Sequence, residues 1–282
     1  LSSVTKFAAL FIIILLSFFI LFLLLENMLH LYYTRFILSN QIKNGVGKLK
    51  PFKILIDFCN LGFINKIFYK LMRTKFSALF IPIYKKSYKI DESIIVDDKF
   101  DSLEDFFTRK IDMTKRPEGA GKYISPCDGF ISAAGKLSED KTFKVKGHIV
   151  DTLSLTGDYE NYKYYQVIYL SPSDYHRFHS IDENEFVSSK TVGKKSIPVN
   201  DKGFKIGNPF LKNYRIILKS KDYAYIPVGA TNVNSIEIKK HKFLKGEEIG
   251  EFSFGSTIVI LYKETPGTSK FGKIKVREDL FA

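Results

Sequence analysis

From Tyr123 to the C-terminus the sequence is a succession of short apolar and β-branched runs separated by turn residues. Helical periodicity is scarce in this part of the chain. Many short strands in order along a chain predict an antiparallel sandwich or a barrel-like core. The runs cover residues 130–133, 142–145, 164–170, 215–218, 224–228, 235–238 and 256–261.

A second feature is a long apolar segment near the N-terminus. Residues 7–25 are apolar except for Ser17, and a bilayer span needs about 20 such residues. We therefore predict that residues 1–30 form a transmembrane anchor. A buried core helix is the alternative. An uncleaved anchor is favoured over a signal peptide because no small-x-small cleavage site follows. The fold class expected is α+β, with N-terminal membrane helices before the β core.

The region between the apolar segment and the β runs is basic and amphipathic. Apolar residues at 51–90 alternate with lysines and arginines at a spacing closer to the helical than to the strand period. Such a pattern is typical of helices that lie on a membrane surface. We predict a membrane-associating helical region over residues 31–100. A helix that packs on the protein's own core and exposes a solvated basic face remains the alternative.

The net charge of +13 favours an anionic partner, either a membrane surface or a nucleic acid. Positive charge is heavier on the C-terminal flank of the apolar segment, which predicts that the rest of the chain stays on the cytosolic side. The two cysteines, Cys59 and Cys127, do not form a disulfide framework, and no Cys/His spacing matches a zinc site. Cys127 is interpreted as a small buried residue.

Residues 102–107 have the pattern of an N-capped short helix that begins after Ser102. Two arginines follow, Arg109 and Arg116. The simplest expectation for both is structural, namely that each pairs with a carboxylate.

The chemistry-bearing residues lie at three separate places. Gly255 and Ser256 precede the last apolar run, where glycine permits a backbone bend that a side chain would block. Asp128 precedes a glycine upstream, and His176 and His179 form a His-x-x-His pair. Together they supply an aspartate, histidines and a serine, the parts of an acid-base-nucleophile constellation. The histidine pair lacks a third ligand motif, so no metal is expected.

At these positions the sequence resembles the phosphatidylserine decarboxylases, pyruvoyl enzymes that cut themselves at a Gly-Ser bond. The resemblance covers roughly residues 102–262 and rests on motifs that occur in the family's order. The motifs are residues 125–129, 170–174, 174–180, 228–237, 245–250 and 254–257. It implies a decarboxylase domain over residues 101–282, cut between 255 and 256 into a large β chain (1–255) and a small α chain (256–282).

The resemblance also implies how the cut occurs. The hydroxyl of Ser256 attacks the carbonyl of Gly255, and the resulting ester is eliminated, so that residue 256 becomes a pyruvoyl cofactor. A serine hydroxyl needs a base to remove its proton. His179 is predicted to be that base, and Asp128 is predicted to hold the imidazole in the right tautomer.

The second reaction implied is the decarboxylation of phosphatidylserine to phosphatidylethanolamine and CO2. The pyruvoyl ketone forms a Schiff base with the serine amine of the lipid and acts as an electron sink. His176 is the candidate for substrate handling and for returning the proton. The partners implied are phosphatidylserine, an anionic membrane surface and the two cleaved chains themselves; a homodimer is allowed, and no nucleic acid is expected. The expected location is a membrane, of the cell or of an organelle, either the mitochondrial inner membrane or an endomembrane in a eukaryote.

Two other functions are compatible with parts of the pattern. A Ser-His-Asp hydrolase of lipids or peptides would use the same residue types, although Ser256 lies in no Gly-x-Ser-x-Gly elbow. A non-enzymatic basic β-domain that binds acidic lipid or nucleic acid would explain the charge, but not the ordered motifs.

Overall fold

The computed structural model describes Asp57, residues 62–230 and residues 236–282. All of them belong to one compact unit, Pro51–Ala282. The predicted membrane anchor at residues 1–30 lies outside the described residues, as do residues 31–56 and 58–61 of the predicted basic helical region. Within the described ranges, no helix combines the length and the apolar character that a membrane crossing requires. The domain boundaries at residues 30 and 100 stay predictions.

The described chain begins with helices. Helix α1 (Gly62–Met72) leads through a 3-10 helix (Lys75–Phe80) into α2 (Ile81–Tyr88). Pro82 lies in the first turn of α2, where the missing N–H would have no intrahelical partner anyway. The helix ends at Lys89, which has a positive φ of 51° and donates its N–H to the carbonyl of Lys85.

A short helix, α3 (Leu103–Phe107), follows after a 3-10 turn (Glu92–Ile94). The hydroxyl of Ser102 accepts a hydrogen bond from the N–H of Asp105 at 3.1 Å, which caps the helix. Because this is the N-cap geometry that the sequence predicts, the prediction of a short capped helix after Ser102 is confirmed. Another 3-10 turn (Met113–Lys115) follows α3.

The centre of the fold is a seven-stranded sheet. Its strands are β1 (Gly129–Lys136), β4 (Tyr164–Leu170), β7 (Ser188–Val192), β8 (Arg215–Lys219), β9 (Tyr223–Gly229), β13 (Ser256–Tyr262) and β14 (Gly272–Ile274). They lie in the order β14-β1-β4-β13-β9-β8-β7, and each neighbouring pair is antiparallel. The α+β class and the antiparallel core are therefore confirmed, with an open sheet bounded by β14 and β7.

The central strand β13 is buried on both faces. Its side chains at positions 258, 260 and 262 pack in one hydrophobic cluster, and those at 259 and 261 pack in another. A strand places alternate side chains on opposite faces, so the part of β13 that is covered on both faces, residues 258–262, is hydrophobic at every position. Burying each aliphatic side chain at 258–261 stabilises the fold by about 1.5–3 kcal/mol.

Smaller elements cover the sheet. They include the short strands β2 (Thr142–Val145), β3 (His148–Asp151), β5 (Arg177–His179), β6 (Asn184–Glu185), β10 (Ile236–Ile238), β11 (Lys242–Phe243) and β12 (Glu248–Phe252). Three of these strands form a sheet of order β10-β12-β5, while β11 pairs with β6 and β2 pairs with β3. The helices α4 (Thr152–Thr156), α5 (Asp201–Ile206) and α6 (Pro209–Lys212) complete the described elements.

The C-terminal segment after β14 runs along the segment that precedes β1. Backbone hydrogen bonds connect Arg277 N–H to the carbonyl of Ser125 at 2.8 Å, and Leu280 N–H to the carbonyl of Tyr123 at 3.1 Å. This contact joins two parts of the chain that lie on opposite sides of the Gly255–Ser256 bond.

Candidate active site

Ser256 is the first residue of β13, and it lies in the middle of the sheet. It pairs with Leu170 on β4 and with Gly229 on β9. Its side chain is fully buried, and its Oγ has no hydrogen-bond partner among the described residues. Leaving a buried hydroxyl unpaired costs about 1–3 kcal/mol. The hydroxyls of Thr257 and Tyr162 are in the same state, so it is the position of Ser256 directly after Gly255 that makes its hydroxyl a candidate for chemistry.

Gly255 has a positive φ of 26°, a conformation that favours glycine. Its carbonyl oxygen accepts a hydrogen bond from the N–H of Ala230 at 3.1 Å. That N–H polarises the carbonyl that Ser256 would attack, in the manner of an oxyanion hole. Ala230 carries no signal in the sequence, because its contribution comes from the backbone. Residues 231–235 of the neighbouring motif lie outside the described residues.

His176 is fully buried, and one of its two ring nitrogens has no hydrogen-bond partner among the described residues. Its Nδ1 lies 2.9 Å from the carbonyl oxygen of Asp174, and its Nε2 has no partner within the described part of the chain. Since a carbonyl only accepts, Nδ1 carries the proton and Nε2 presents a lone pair. Burial and the nearby Arg109 cation lower the pKa of His176 to about 3, so the ring is neutral at pH 7. The ring of Phe107 packs against it, with centroids 3.9 Å apart.

His179 is buried with both ring nitrogens occupied. Its Nδ1 lies 3.0 Å from the carbonyl oxygen of Gly246, and its Nε2 lies 3.0 Å from the hydroxyl of Tyr175. Nδ1 is therefore the donor, and Nε2 accepts from Tyr175. Burial lowers the pKa of His179, against the opposing effect of the Gly246 hydrogen bond. For His179 to accept a proton from Ser256, Tyr175 must first release Nε2.

Asp128 is buried, but it does not form the hydrogen bond to His179 that the sequence predicts. Its Oδ2 pairs with Arg116, and its Oδ1 accepts from the N–H of Val276 at 2.9 Å. Lys275 lies 3.5 Å from Oδ2. The predicted contact, in which Asp128 orients His179 by a direct hydrogen bond, is therefore not the one observed. The carboxylate of Asp128 binds Arg116, Lys275 and the N–H of Val276, and Nδ1 of His179 donates to the carbonyl of Gly246. For Arg116, the expected carboxylate pair is confirmed.

The structure brings His176 next to the segment that leads to the scissile bond. The N–H of Phe252 donates to the carbonyl of His176 at 3.0 Å. Phe107 connects the two parts, since its ring centroid also lies 4.9 Å from that of Phe254. On the same helix, Glu104 accepts a hydrogen bond from the hydroxyl of Ser253 at 3.0 Å.

Sequence reasoning missed Phe107, Glu104 and Tyr175 as neighbours of the site. Phe107 and Glu104 lie in the capped helix α3, and Tyr175 lies between the aspartate and the first histidine of the 174–180 motif. The only available signal was this closeness to recognised motifs. The expected burial of Cys127 is confirmed, and burial raises the pKa of its thiol.

The geometry does not favour the hydrolase alternative. A serine nucleophile of that class lies at an exposed strand-to-helix turn, whereas Ser256 is buried and opens the central strand β13. A direct Asp-His-Ser relay is also not assembled, because Asp128 and His179 each have other partners.

Comparison with known proteins decides between the remaining functions. A family model described as phosphatidylserine decarboxylase matches residues 103–282. The chain belongs to the phosphatidylserine decarboxylase family. Similar relatives occur in Bacillus mycoides (strain KBAB4) and Bacillus cereus (strain ATCC 10987 / NRS 248). Each is named a phosphatidylserine decarboxylase proenzyme and is 34% identical over 229 residues, which cover 76% of this chain and 87% of the relative.

Proposed function

We propose that this decarboxylase converts phosphatidylserine to phosphatidylethanolamine and CO2, and that its reactive group is a pyruvoyl made from Ser256. The observation that carries the proposal is the pair formed by the buried, unpartnered Oγ of Ser256 and the polarised carbonyl of Gly255. The fold supplies these two groups at adjacent positions in a chain of this family.

Self-cleavage begins when Oγ of Ser256 attacks the carbonyl carbon of Gly255. The proton of Oγ passes to a base, for which His179 remains our candidate once Tyr175 releases its Nε2. The N–H of Ala230 stabilises the charge that develops on the carbonyl oxygen. The peptide C–N bond then breaks, and the amide becomes an ester between the two residues.

Elimination completes the cut. Loss of the Cα proton of residue 256 breaks the Cβ–O bond, and Gly255 leaves with a new carboxyl end. Residue 256 retains its nitrogen as an enamine, which water converts to a ketone with release of ammonia. The position suits the product, because residue 256 is buried at the start of a strand that is paired on both sides.

When formed, the pyruvoyl group supplies a ketone that can accept electrons from the carbon that loses CO2. The chain's own residues position the substrate and move the proton. His176 presents the bare Nε2 needed to bind a substrate donor or to relay a proton. Phe107 packs on both His176 and Phe254, and in this proposal its ring limits the access of water to the imidazole.

The two chains remain associated after the cut in this proposal. Strand β13 belongs to the small chain and lies between β4 and β9 of the large chain, with seven residue pairs to each neighbour. The C-terminal segment adds the backbone contacts to Ser125 and Tyr123. Removing the small chain would therefore require the central strand to leave the sheet.

We also propose that the surface formed by the 3-10 helix Lys75–Phe80 and by α2 binds an anionic membrane. Phe76, Leu79 and Ile83 expose apolar side chains there. The lysines at positions 75, 85 and 86 lie on the same two helices. Exposed apolar side chains among lysines match the interface of a bilayer with acidic headgroups. The membrane location proposed for the chain rests on this surface together with the anchor predicted at residues 1–30.

Intact mass spectrometry of the purified full chain tests the proposed function. The wild type should give a fragment of residues 256–282 that is lighter than its encoded mass by one ammonia, and Ser256→Ala should stay whole. Ser269→Ala is a matched control, because Ser269 is also a buried serine of the small chain but hydrogen-bonds to Gln166. It should still be cut. An intact wild-type chain that decarboxylates phosphatidylserine would refute the pyruvoyl mechanism.

A further inference from the structure

Arg109 is a buried cation without a carboxylate partner among the described residues. Only 4% of it is exposed, and its guanidinium donates to backbone carbonyls. Nη2 lies 2.9 Å from the oxygen of Ser173 and 3.0 Å from that of Asp174. The expectation that this arginine pairs with a carboxylate is thus wrong. Burying a cation without a counterion is costly, so the contacts that the guanidinium makes must offset that cost, and what those contacts hold in place becomes the question.

Arg109 also donates from Nη1 to the carbonyl of Phe106 at 3.5 Å, but the two closer carbonyls belong to the loop that carries His176. The oxygen of Asp174 accepts two hydrogen bonds, one from Nη2 of Arg109 and one from Nδ1 of His176 at 2.9 Å. The hydrogen bond at Nδ1 determines which ring nitrogen carries the proton. Whatever fixes the direction of this carbonyl therefore also fixes the tautomer and the orientation of the imidazole.

Arg109 lies two residues after Phe107, whose ring packs on His176. The C-terminal end of α3 and the residues after it thus act on the imidazole in two ways. Phe107 packs against the face of the ring, and Arg109 binds the Asp174 carbonyl that accepts from Nδ1. We propose that Arg109 is a positioning residue for His176: it keeps the proton on Nδ1 and the lone pair of Nε2 directed into the site. The proposal rests on the function proposed above, in which His176 serves the decarboxylation step.

The other charged groups near His176 have partners of their own. On α3, Glu104 binds Arg73 and Ser253. In the loop, the carboxylate of Asp174 accepts from the N–H and the hydroxyl of Ser171 at 2.7 Å.

On β5 and β12, Arg177 pairs with Glu248 and Glu251. The hydroxyl of Tyr175 is engaged with His179. Arg109 is the charged side chain whose field acts on the imidazole and disfavours its protonation.

Arg215 offers a matched control. It is also a fully buried arginine whose guanidinium donates to carbonyls, those of Leu155, Ser154, Leu211 and Asn213. Ile217, two residues further along β8, packs in the hydrophobic cluster on one face of the sheet, whereas Phe178, two residues after His176, packs in the cluster on the other face. Because alternate residues of a strand share a face, Arg215 lies on the side of the sheet away from His176.

The experiment compares Arg109→Gln, Arg109→Lys and Arg215→Gln in two backgrounds. In the uncut Ser256→Ala full chain, nitrogen-15 NMR of the imidazoles reports the tautomer and titration of His176, with its signals assigned by their loss in His176→Gln. In the processed enzyme, the pH profile of decarboxylation is measured beside the extent of the cut.

We expect the parent chain to show the Nδ1–H tautomer of His176. Arg109→Gln should mix the tautomers, raise the pH at which His176 titrates and lower kcat roughly 10- to 100-fold, with the cut retained. Arg109→Lys should restore the low titration pH because it restores the cation. Arg215→Gln should lower thermal stability and leave the His176 signals unchanged.

An unchanged tautomer and pH profile in Arg109→Gln would overturn the proposal, as would an equal change in Arg215→Gln. If Arg109→Gln does not fold, Arg109→Lys decides alone. One ammonium cannot reproduce the planar contact to both carbonyls, so this variant should mix the tautomers of His176 even though it keeps the titration pH low; an unaltered Nδ1–H tautomer would then refute the role. The NMR measurement uses uncut chains. Failure of processing in the wild type would therefore count against the proposed function and not against the role of Arg109.

Discussion

The N–H of Ala230 donates to the carbonyl of Gly255 at 3.1 Å, which connects the end of β9 to the bond that the enzyme is proposed to cut. The donor is already in place in the uncut chain, so no reorganisation is needed when charge develops on the oxygen. Such pre-organised donors are among the largest contributions to the catalysis of acyl transfer.

Replacing Ala230 by proline should therefore slow self-cleavage, because proline has no N–H to donate. The expected loss is about 10²- to 10³-fold in the rate of the cut, followed by mass spectrometry over time. Ala230→Gly keeps the N–H and should cut at nearly the wild-type rate. Circular dichroism establishes that the proline variant is folded. A folded proline variant that cuts at the wild-type rate would show that this donor is irrelevant.

Asp128 should act mainly as a connection between the two chains. It binds Arg116 of the large chain and the N–H of Val276 of the small chain, and both charged side chains are more than nine-tenths buried. Breaking a buried ion pair leaves a buried charge unpaired, so Asp128→Asn should lower the free energy of unfolding by about 3–5 kcal/mol. Urea denaturation of the processed enzyme measures this.

The exposed pair of Lys163 and Glu264 is the control for Asp128. It also joins the large chain to the small chain, with an N–O distance of 2.8 Å. Because exposed pairs contribute little, Glu264→Gln should change the free energy of unfolding by less than about 1 kcal/mol. Should Asp128→Asn keep full stability but fail to cut, the predicted role of Asp128 in orienting His179 would be restored.

His176 should make the fold sensitive to acid. Its pKa is lowered to about 3 by burial and by Arg109, against an ordinary value near 6.5 in the unfolded chain. A histidine whose folded pKa is lowered contributes stability above its unfolded pKa, and this contribution is lost as the pH falls toward the folded value. Between pH 6 and 4, His176→Gln should thus reduce the slope of stability against pH by up to about 1.4 kcal/mol per unit.

Urea denaturation at each pH from 4 to 6 measures this slope for the wild type and for His176→Gln. Equal slopes in the wild type and in His176→Gln would mean that the imidazole of His176 is not held neutral in the folded chain.

The elements that could be predicted from the sequence are those set by local patterns. Strand β13 is recognisable because its side chains from 258 to 262 alternate between two cores, which makes this run hydrophobic at every position. Helix α3 is recognisable from its cap at Ser102. The order of the seven strands is not recognisable in this way, because it depends on pairings between distant segments, such as β1 with β14.

The same distinction holds for the site. Gly255 and Ser256 are adjacent, so their chemistry could be inferred from the sequence and from the resemblance. The partners of Asp128 could not, because Val276 lies 148 residues away along the chain. Arg109 reaches a carbonyl 64 residues away, and no local pattern predicts that a buried arginine will bind a backbone loop rather than a carboxylate.

Membrane binding should depend on the exposed apolar side chains of the 3-10 helix Lys75–Phe80 and of α2. Leu79 and Ile83 are 67% and 58% exposed, and each buried aliphatic side chain contributes about 1.5–3 kcal/mol on leaving water. Replacing both by glutamate removes this gain and adds charges that acidic lipids repel. In a chain of residues 51–282, which lacks the predicted anchor and keeps the compact unit, the double variant should lose at least about 100-fold in affinity for vesicles that contain phosphatidylserine, as measured by flotation in low salt. Ile149 is 67% exposed on the short strand β3, and Ile149→Glu should leave flotation unchanged. If the double variant floats like the wild type, or if Ile149→Glu fails equally, this face is not the membrane-binding surface, and anchoring must come from another part of the chain.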